Sequence, residues 1–310
     1  MSITAFFMKI KPEDILNTGN LELLAKKAVE GFITGFHKSP FHGFSVEFAE
    51  HRQYNPGEDT KNIDWKLYGR TDKVYVKRYE EETNLRCQIV IDVSSSMQIA
   101  TDKGLSKLQY SIWSAAVFLQ MLKKQRDATG LCFFDDKVIS NTKIASSSRH
   151  YKEIMFSLQD YLTYQSERKN TDTAAVLHGI ANQIHRRSMV ILFTDFFETN
   201  RETEALFDAI KHLKHNKHEV MVFHTLHSPS EVEFNYPSVP LTFEDAETGE
   251  VLKIQPSEVR ENYVASIAKY NREIKLKMSQ YKIDFVEADT SKTVEHSLIP
   301  FLVKRKKMTT

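Results

Sequence analysis

Cysteine is almost missing: Cys87 and Cys132 are the only two in 310 residues, and each falls in a stretch that reads as a strand. Two isolated thiols make no disulfide framework, so they read as small buried groups in a reducing compartment. Glycine and proline are scarce as well, ten and eight, which excludes collagen-like and low-complexity chains. Neither sign of charge dominates. Forty-two basic against forty-one acidic residues leave +1, too weak a field for a dedicated grip on nucleic acid or an anionic membrane. Long apolar runs are lacking too; Met189 to Phe193 is typical, far short of the roughly 20 residues that cross a bilayer. Met1 to Lys11 has no basic start, long apolar stretch and small-residue cleavage site, so a cytoplasmic location is expected. Phosphate-loop, H-E-x-x-H, G-x-S-x-G and G-x-G-x-x-G patterns are all absent, and the chain is expected not to be an enzyme.

What is present is a core-forming balance, 41% hydrophobic and 27% charged. Leu21 to Thr34 carries a helical apolar stripe behind Asn20, a candidate cap. From Gly35 to Glu82 the chain turns to glycine, histidine, aromatics and charge, with strand-like pieces at Phe44 to Phe48 and Lys73 to Tyr79, a β-rich module. Then regular alternation begins. Strands are expected at Cys87–Asp92, Gly130–Phe134, Met189–Asp195, Glu219–Leu226 and Asp284–Glu287. Helices are expected between them at Leu105–Lys123, Tyr151–Leu162, Thr173–His185, Glu202–Leu213 and Ser257–Ser279. Two short pieces, Leu241–Glu244 and Glu250–Ile254, flank Glu247-Thr248-Gly249 and read as a hairpin inserted within about 237–254. The pattern predicts an α/β fold with a doubly wound, mostly parallel sheet over 85–310, and a helix plus β-rich appendage over 1–84.

The sharpest local feature is Asp92-Val93-Ser94-Ser95-Ser96-Met97, directly after an expected buried strand and so at a carboxyl-terminal sheet edge, where α/β proteins bind ligands. Asp195 ends another strand, and Thr171 lies in a polar turn before a helix. Two carboxylates on that rim, about 5 Å apart at an effective dielectric near 20, repel by roughly 3 kcal/mol. Something positive belongs between them. No lysine or arginine falls in the Asp92 turn, so a divalent cation is expected, and hydroxyl plus carboxylate donors suit magnesium or manganese better than zinc. A coordination position left to water would be open to an acidic residue of another protein.

At these residues the sequence resembles the von Willebrand factor A fold, whose metal-ion-dependent adhesion site (MIDAS) runs D-x-S-x-S, then Thr, then Asp. Asp92, Ser94 and Ser96 match the first element, Thr171 the second and Asp195 the third. The resemblance implies that these five hold Mg²⁺, with Mn²⁺ or Ca²⁺ as alternatives. Asn170 and the Phe196-Phe197 pair stand where that fold often has glycine. The preceding segment narrows the resemblance. Gly43-Phe44-Ser45-Val46-Glu47-Phe48, Arg52-Gln53-Tyr54-Asn55-Pro56-Gly57-Glu58-Asp59 and Ile63-Asp64-Trp65 occur in the order seen in the domain-of-unknown-function 58 family. That bacterial family is frequently associated with MoxR-type AAA+ ATPases, which implies an adaptor or co-chaperone role.

Other features carry blander readings. Arg52, Tyr54, Asp59, Asp64 and Trp65 suit a polar network more than a partner surface, and Phe196 and Phe197 suit core more than an exposed anchor. His212, His215 and His218 recur by three, which drifts around a helix and suits a solvated face better than zinc. A magnesium phosphohydrolase built on Asp92 and Asp195, and a scaffold with a vestigial metal site, are the rival readings.

Overall fold

The computed structural model describes residues 10–35, 48–53, 63–79, 85–99, 104–166, 173–196, 200–215, 217–246 and 248–298. The chain forms two compact units, Met1–Lys38 together with Leu85–Thr310, and Ser39–Asn84. The larger unit opens with α1 (Pro12–Leu16) and α2 (Leu21–Gly35). Asn20 starts α2, its Oδ1 accepting the Leu23 N–H at 2.9 Å. Leu21, Ala25, Ala28 and Val29 are buried at helical spacing, so this helix, grouped with the β-rich module by its sequence position, packs in the larger unit.

The smaller unit holds β1 (Phe48–Gln53), α3 (Trp65–Thr71) and β2 (Tyr75–Tyr79), with β1 and β2 antiparallel. The expected strand residues Phe44 to Glu47 lie outside the described residues. Asp64 caps α3, accepting the Lys66 and Leu67 N–H groups at 3.0 and 3.1 Å, while Trp65 is 63% exposed. Asp64 therefore serves its own helix.

From Leu85 onward the alternation is that read from the sequence, with one unexpected strand, Val138–Asn141. The elements are β3 (Arg86–Asp92), α4 (Lys107–Lys124), β4 (Ala128–Phe134), β5 (Val138–Asn141), α5 (Ser148–Tyr161), α6 (Thr173–Gln183), β6 (Met189–Thr194), α7 (Asn200–His215) and β7 (Glu219–Leu226). The inserted hairpin β8 (Leu241–Glu244) and β9 (Val251–Ile254) follows, then α8 (Pro256–Gln280) and β10 (Asp284–Asp289). The six-stranded sheet has the order β10-β7-β6-β3-β4-β5, parallel except for β5.

Strand alternation divides the core in two. Ile89, Ile91, Ile191 and Phe193 face a cluster that includes α2, α4 and α5; Val90, Val190, Leu192 and Val222 face one that includes α6, α7 and α8. The result is a mostly parallel α/β sheet with helices on both faces. Helix α4 begins with a capping box, Ser106 Oγ accepting from Gln109 N and Gln109 Oε1 accepting from Ser106 N. None of the described helices is long and apolar enough to cross a membrane.

Candidate functional site

Strand order locates the site. From β3 the chain moves outward through β4 to β5, then returns to the other side of β3 and moves outward again through β6, β7 and β10. The connections therefore diverge between β3 and β6, which opens a crevice at their carboxyl ends. Asp92 is the last residue of β3 and Asp195 the first after β6, so the two expected carboxylates meet on one rim.

Hydrogen bonds fix the Asp92 turn. Asp92 is 3% exposed; its Oδ1 accepts the Ser94 N–H at 3.0 Å and its Oδ2 accepts the Thr194 hydroxyl at 2.8 Å. Ser94 and Ser96 point their hydroxyls together, with 3.1 Å between the Oγ atoms. A single 3₁₀ turn over Ser95–Gln98 follows, and Gln98 donates to the Val93 carbonyl at 2.8 Å while accepting the Ser166 N–H at 2.9 Å. Burial, then the Asp195 charge, push the Asp92 carboxyl up to about 7 against its hydrogen bonds. Four of the five expected residues, Asp92, Ser94, Ser96 and Asp195, are thus gathered; Thr171 lies outside the described residues.

A cation that the Asp92 turn itself does not contain arrives from the first turn of α4. Lys107 Nζ lies 2.7 Å from Asp195 Oδ2 and 2.7 Å from Glu231 Oε1, with its side chain 3% exposed. Burial works against the ammonium, but Asp195 and Glu231 outweigh it and hold its pKa above the ordinary lysine range. Glu231 belongs to a turn, Ser228–Val232, just beyond β7. Its Oε2 accepts the His227 N–H at 2.8 Å and its carbonyl accepts the Tyr263 hydroxyl at 3.0 Å. Sequence reasoning missed both residues, since a lysine inside a helix and a glutamate after a strand carry no motif. The demand for positive charge beside Asp195 was the available signal, together with Lys107 directly following the capping serine.

The segment after Asp195 is braced from two sides. Phe196 adopts φ 52°, the left-handed region that favours glycine. The residue is 1% exposed, its ring edge-on to His224 and tilted against Phe285, so this phenylalanine is core; Phe197 lies outside the described residues. Tyr270 donates its hydroxyl to the Phe196 carbonyl at 2.6 Å. His224 Nε2 donates to the Asp195 carbonyl at 3.0 Å, and burial pulls this imidazole down to about 4 despite Asp195, so it is neutral.

Other histidines among the described residues scatter. His212 meets His178 of α6 with 3.0 Å between Nδ1 atoms, His218 accepts the Ser188 N–H, and His227 bonds Thr290. Among the described residues no three or more His, Cys, Asp or Glu side chains form a group able to hold a metal ion. Any cation at the rim must therefore draw on hydroxyl oxygens, and the donor chemistry of Asp92, Ser94 and Ser96 fits that requirement: all are oxygen donors, and Asp92 takes its bonds from a neutral amide and a neutral hydroxyl.

A family model described as "Protein of unknown function DUF58" matches residues 50–273. The chain is 23% identical over 257 residues to the uncharacterized protein Rv1480 of Mycobacterium tuberculosis, covering 82% of this chain and 78% of that one. The uncharacterized protein Mb1516 of Mycobacterium bovis matches to the same extent, at 23% identity. Among solved structures, BatB of Bacteroides thetaiotaomicron is similar with a TM-score of 0.44 and 16% identity, over 72% of this chain and 99% of that one. An aerotolerance-related membrane protein of Bacteroides fragilis is similar with a TM-score of 0.42 and 16% identity, over 67% and 92%.

Proposed function

This chain belongs to the DUF58 family, and from that membership and the chemistry of the rim we propose that it is a divalent-cation-dependent protein-interaction module that captures an acidic residue of a partner. The observation that carries the reading is the buried Asp92 carboxylate, held beside Asp195 and two converging serine hydroxyls and pushed up to about 7. A buried acid in that condition is stabilised by a nearby positive charge. Asp92, Ser94, Ser96 and Asp195, with Thr171, would hold Mg²⁺ in the manner of a MIDAS on a von Willebrand factor A-like domain. Bound there, Mg²⁺ supplies a Lewis-acidic position for a carboxylate oxygen. The chain's own contribution is to hold the two hydroxyls together, to keep Asp92 dry and to fix its orientation through Thr194 and the Ser94 amide.

The partner in this reading is a MoxR-type AAA+ ATPase or its client, with this chain as a cytoplasmic adaptor that does no catalysis of its own. A magnesium phosphohydrolase would turn a cation toward phosphate. Lys107 is instead held at 2.7 Å by each of two carboxylates, which favours the binding reading. Isothermal titration with Mg²⁺ and Mn²⁺, followed by co-purification with a MoxR-type ATPase with and without chelator, tests the proposal. Asp92→Ala and Ser94→Ala are expected to lose both metal heat and chelator-sensitive capture while remaining folded. Capture indifferent to chelator and to both substitutions overturns the reading, and phosphate-ester turnover by the isolated chain puts the enzyme in its place.

A further inference from the structure

Lys107 and Glu231 stand out because no motif called for them and both are engaged at the rim. The ammonium bridges Asp195 and Glu231 at 2.7 Å each. It is buried at 3%, and its helix is fixed by the Ser106–Gln109 box, so it does not drift away from Asp195 at little cost. Glu231 is less constrained, 24% exposed, on a turn whose Ser228 bonds Asp289 through its hydroxyl at 2.8 Å. The Glu231 backbone in turn receives the Tyr263 hydroxyl of α8, and the Tyr263 ring lies 4.5 Å from Phe234 at the root of the hairpin. One lysine, through two ion pairs, thus joins Asp195 to the platform made by the turn, α8 and the hairpin.

Resting on the proposed metal reading, we infer that Lys107 is the resident counter-ion of Asp195: it competes with a divalent cation for that carboxylate, sets the affinity of the site, and on metal loading slackens its hold on Glu231 and the 228–232 turn. The physical ground is exclusion. Two cations within reach of one buried carboxylate repel each other, so charge brought to Asp195 weakens the Lys107 contact, and the free energy of that loss is subtracted from metal affinity. Relaxation of Glu231 then falls on the turn and on its bond to Tyr263. The surface that a partner meets beside the metal is in this way changed by the metal itself.

Mn²⁺ titration of the full chain and of Lys107→Met, Glu231→Gln and a remote charge control, Lys152→Met, reads the competition. Hydrogen exchange over 226–235 with and without Mn²⁺ reads the release. The expected result is at least tenfold tighter Mn²⁺ binding by Lys107→Met, weaker binding by Glu231→Gln, and no change in Lys152→Met. Mn²⁺ is expected to speed exchange over 226–235 in the parent chain and to leave it unaltered in Lys107→Met. Binding by the parent with the same affinity in Lys107→Met, or with exchange in the turn untouched by metal, overturns the inference and leaves the metal reading standing. Binding by neither overturns both, and binding by Lys107→Met alone upholds the competition while refuting metal use by the native chain. Should Lys107→Met not fold, Glu231→Gln with its exchange profile carries the same decision, because its side chain is partly in solvent.

Discussion

Replacing Asp92 with asparagine isolates the electrostatic cost of the rim. Asp92 rises from 3.8 to about 7 in the folded chain, chiefly through burial and then through Asp195. Because the folded pKa is the higher one, the folded state holds the proton more tightly than the unfolded state does. Stability from this group is therefore fully present below about 4 and is lost as pH rises toward about 7. The interval from 3.8 to about 7 corresponds to up to about 4 kcal/mol. Asparagine keeps the shape and one acceptor but forfeits one of the two hydrogen bonds that Asp92 accepts, about 1 kcal/mol. Without divalent ions, Asp92→Asn should thus be more stable than the parent by a few kcal/mol at pH 8 and no more stable at pH 4. Urea unfolding in chelator at the two pH values measures it. Addition of Mg²⁺ at pH 8 should narrow or reverse the difference, since only the parent gains by binding it. A variant less stable than the parent at pH 8 in chelator would show that the carboxylate is already comfortably compensated, and the case for a cation at the rim would fall.

Other substitutions test the scaffold. Phe196→Gly relieves a left-handed residue of about 1 kcal/mol of backbone strain but removes a ring that is 1% exposed, so chemical denaturation should show a net loss of about 2–3 kcal/mol. Gly130→Ala places a methyl group against the Gln88 side chain and 3.0 Å from Ile144, and should lower stability by about 1–3 kcal/mol with a visible fall in melting temperature. Ser106→Ala removes the cap of α4 at a cost of about 1 kcal/mol, and should also loosen Lys107 enough to alter Mn²⁺ affinity in a titration.

The fold was largely legible because each buried strand is a compact apolar run. Cys87 to Asp92 and Met189 to Thr194 leave little doubt about period or length, whereas the edge strand β10, with two aspartates and a glutamate in six residues, is the parallel strand that departs from that pattern. The edge strand β5 escaped notice since it is four residues of mixed polarity, and α3 because its seven residues bury no side chain. That Asp92, with the turn holding Ser94 and Ser96, and Asp195 share one rim could be read from sequence because strand ends on a parallel sheet converge by construction. Lys107 and Glu231 could not, since their meeting depends on how far α4 and the turn after β7 lean over the rim, a tertiary matter that local pattern does not encode. Phe196 illustrates a third case. An aromatic residue directly after Asp195 is unusual in the sequence, yet its left-handed backbone and buried ring emerge only when β7, α8 and β10 close around it.

Helix α2 belongs to a body most of which comes much later in the chain: it ends at Gly35, whereas α4, against which it buries its apolar side, starts at Lys107. During synthesis this amphipathic segment leaves the ribosome well before its docking surface exists, and the whole Ser39–Asn84 unit is made in between. Maturation of the larger body is consequently a long-range closure, with a sticky leading segment waiting for its seat. Until α4 emerges the apolar side of α2 has no seat, which is the condition under which nascent chains associate with one another, and shortening the spacer should hasten the closure.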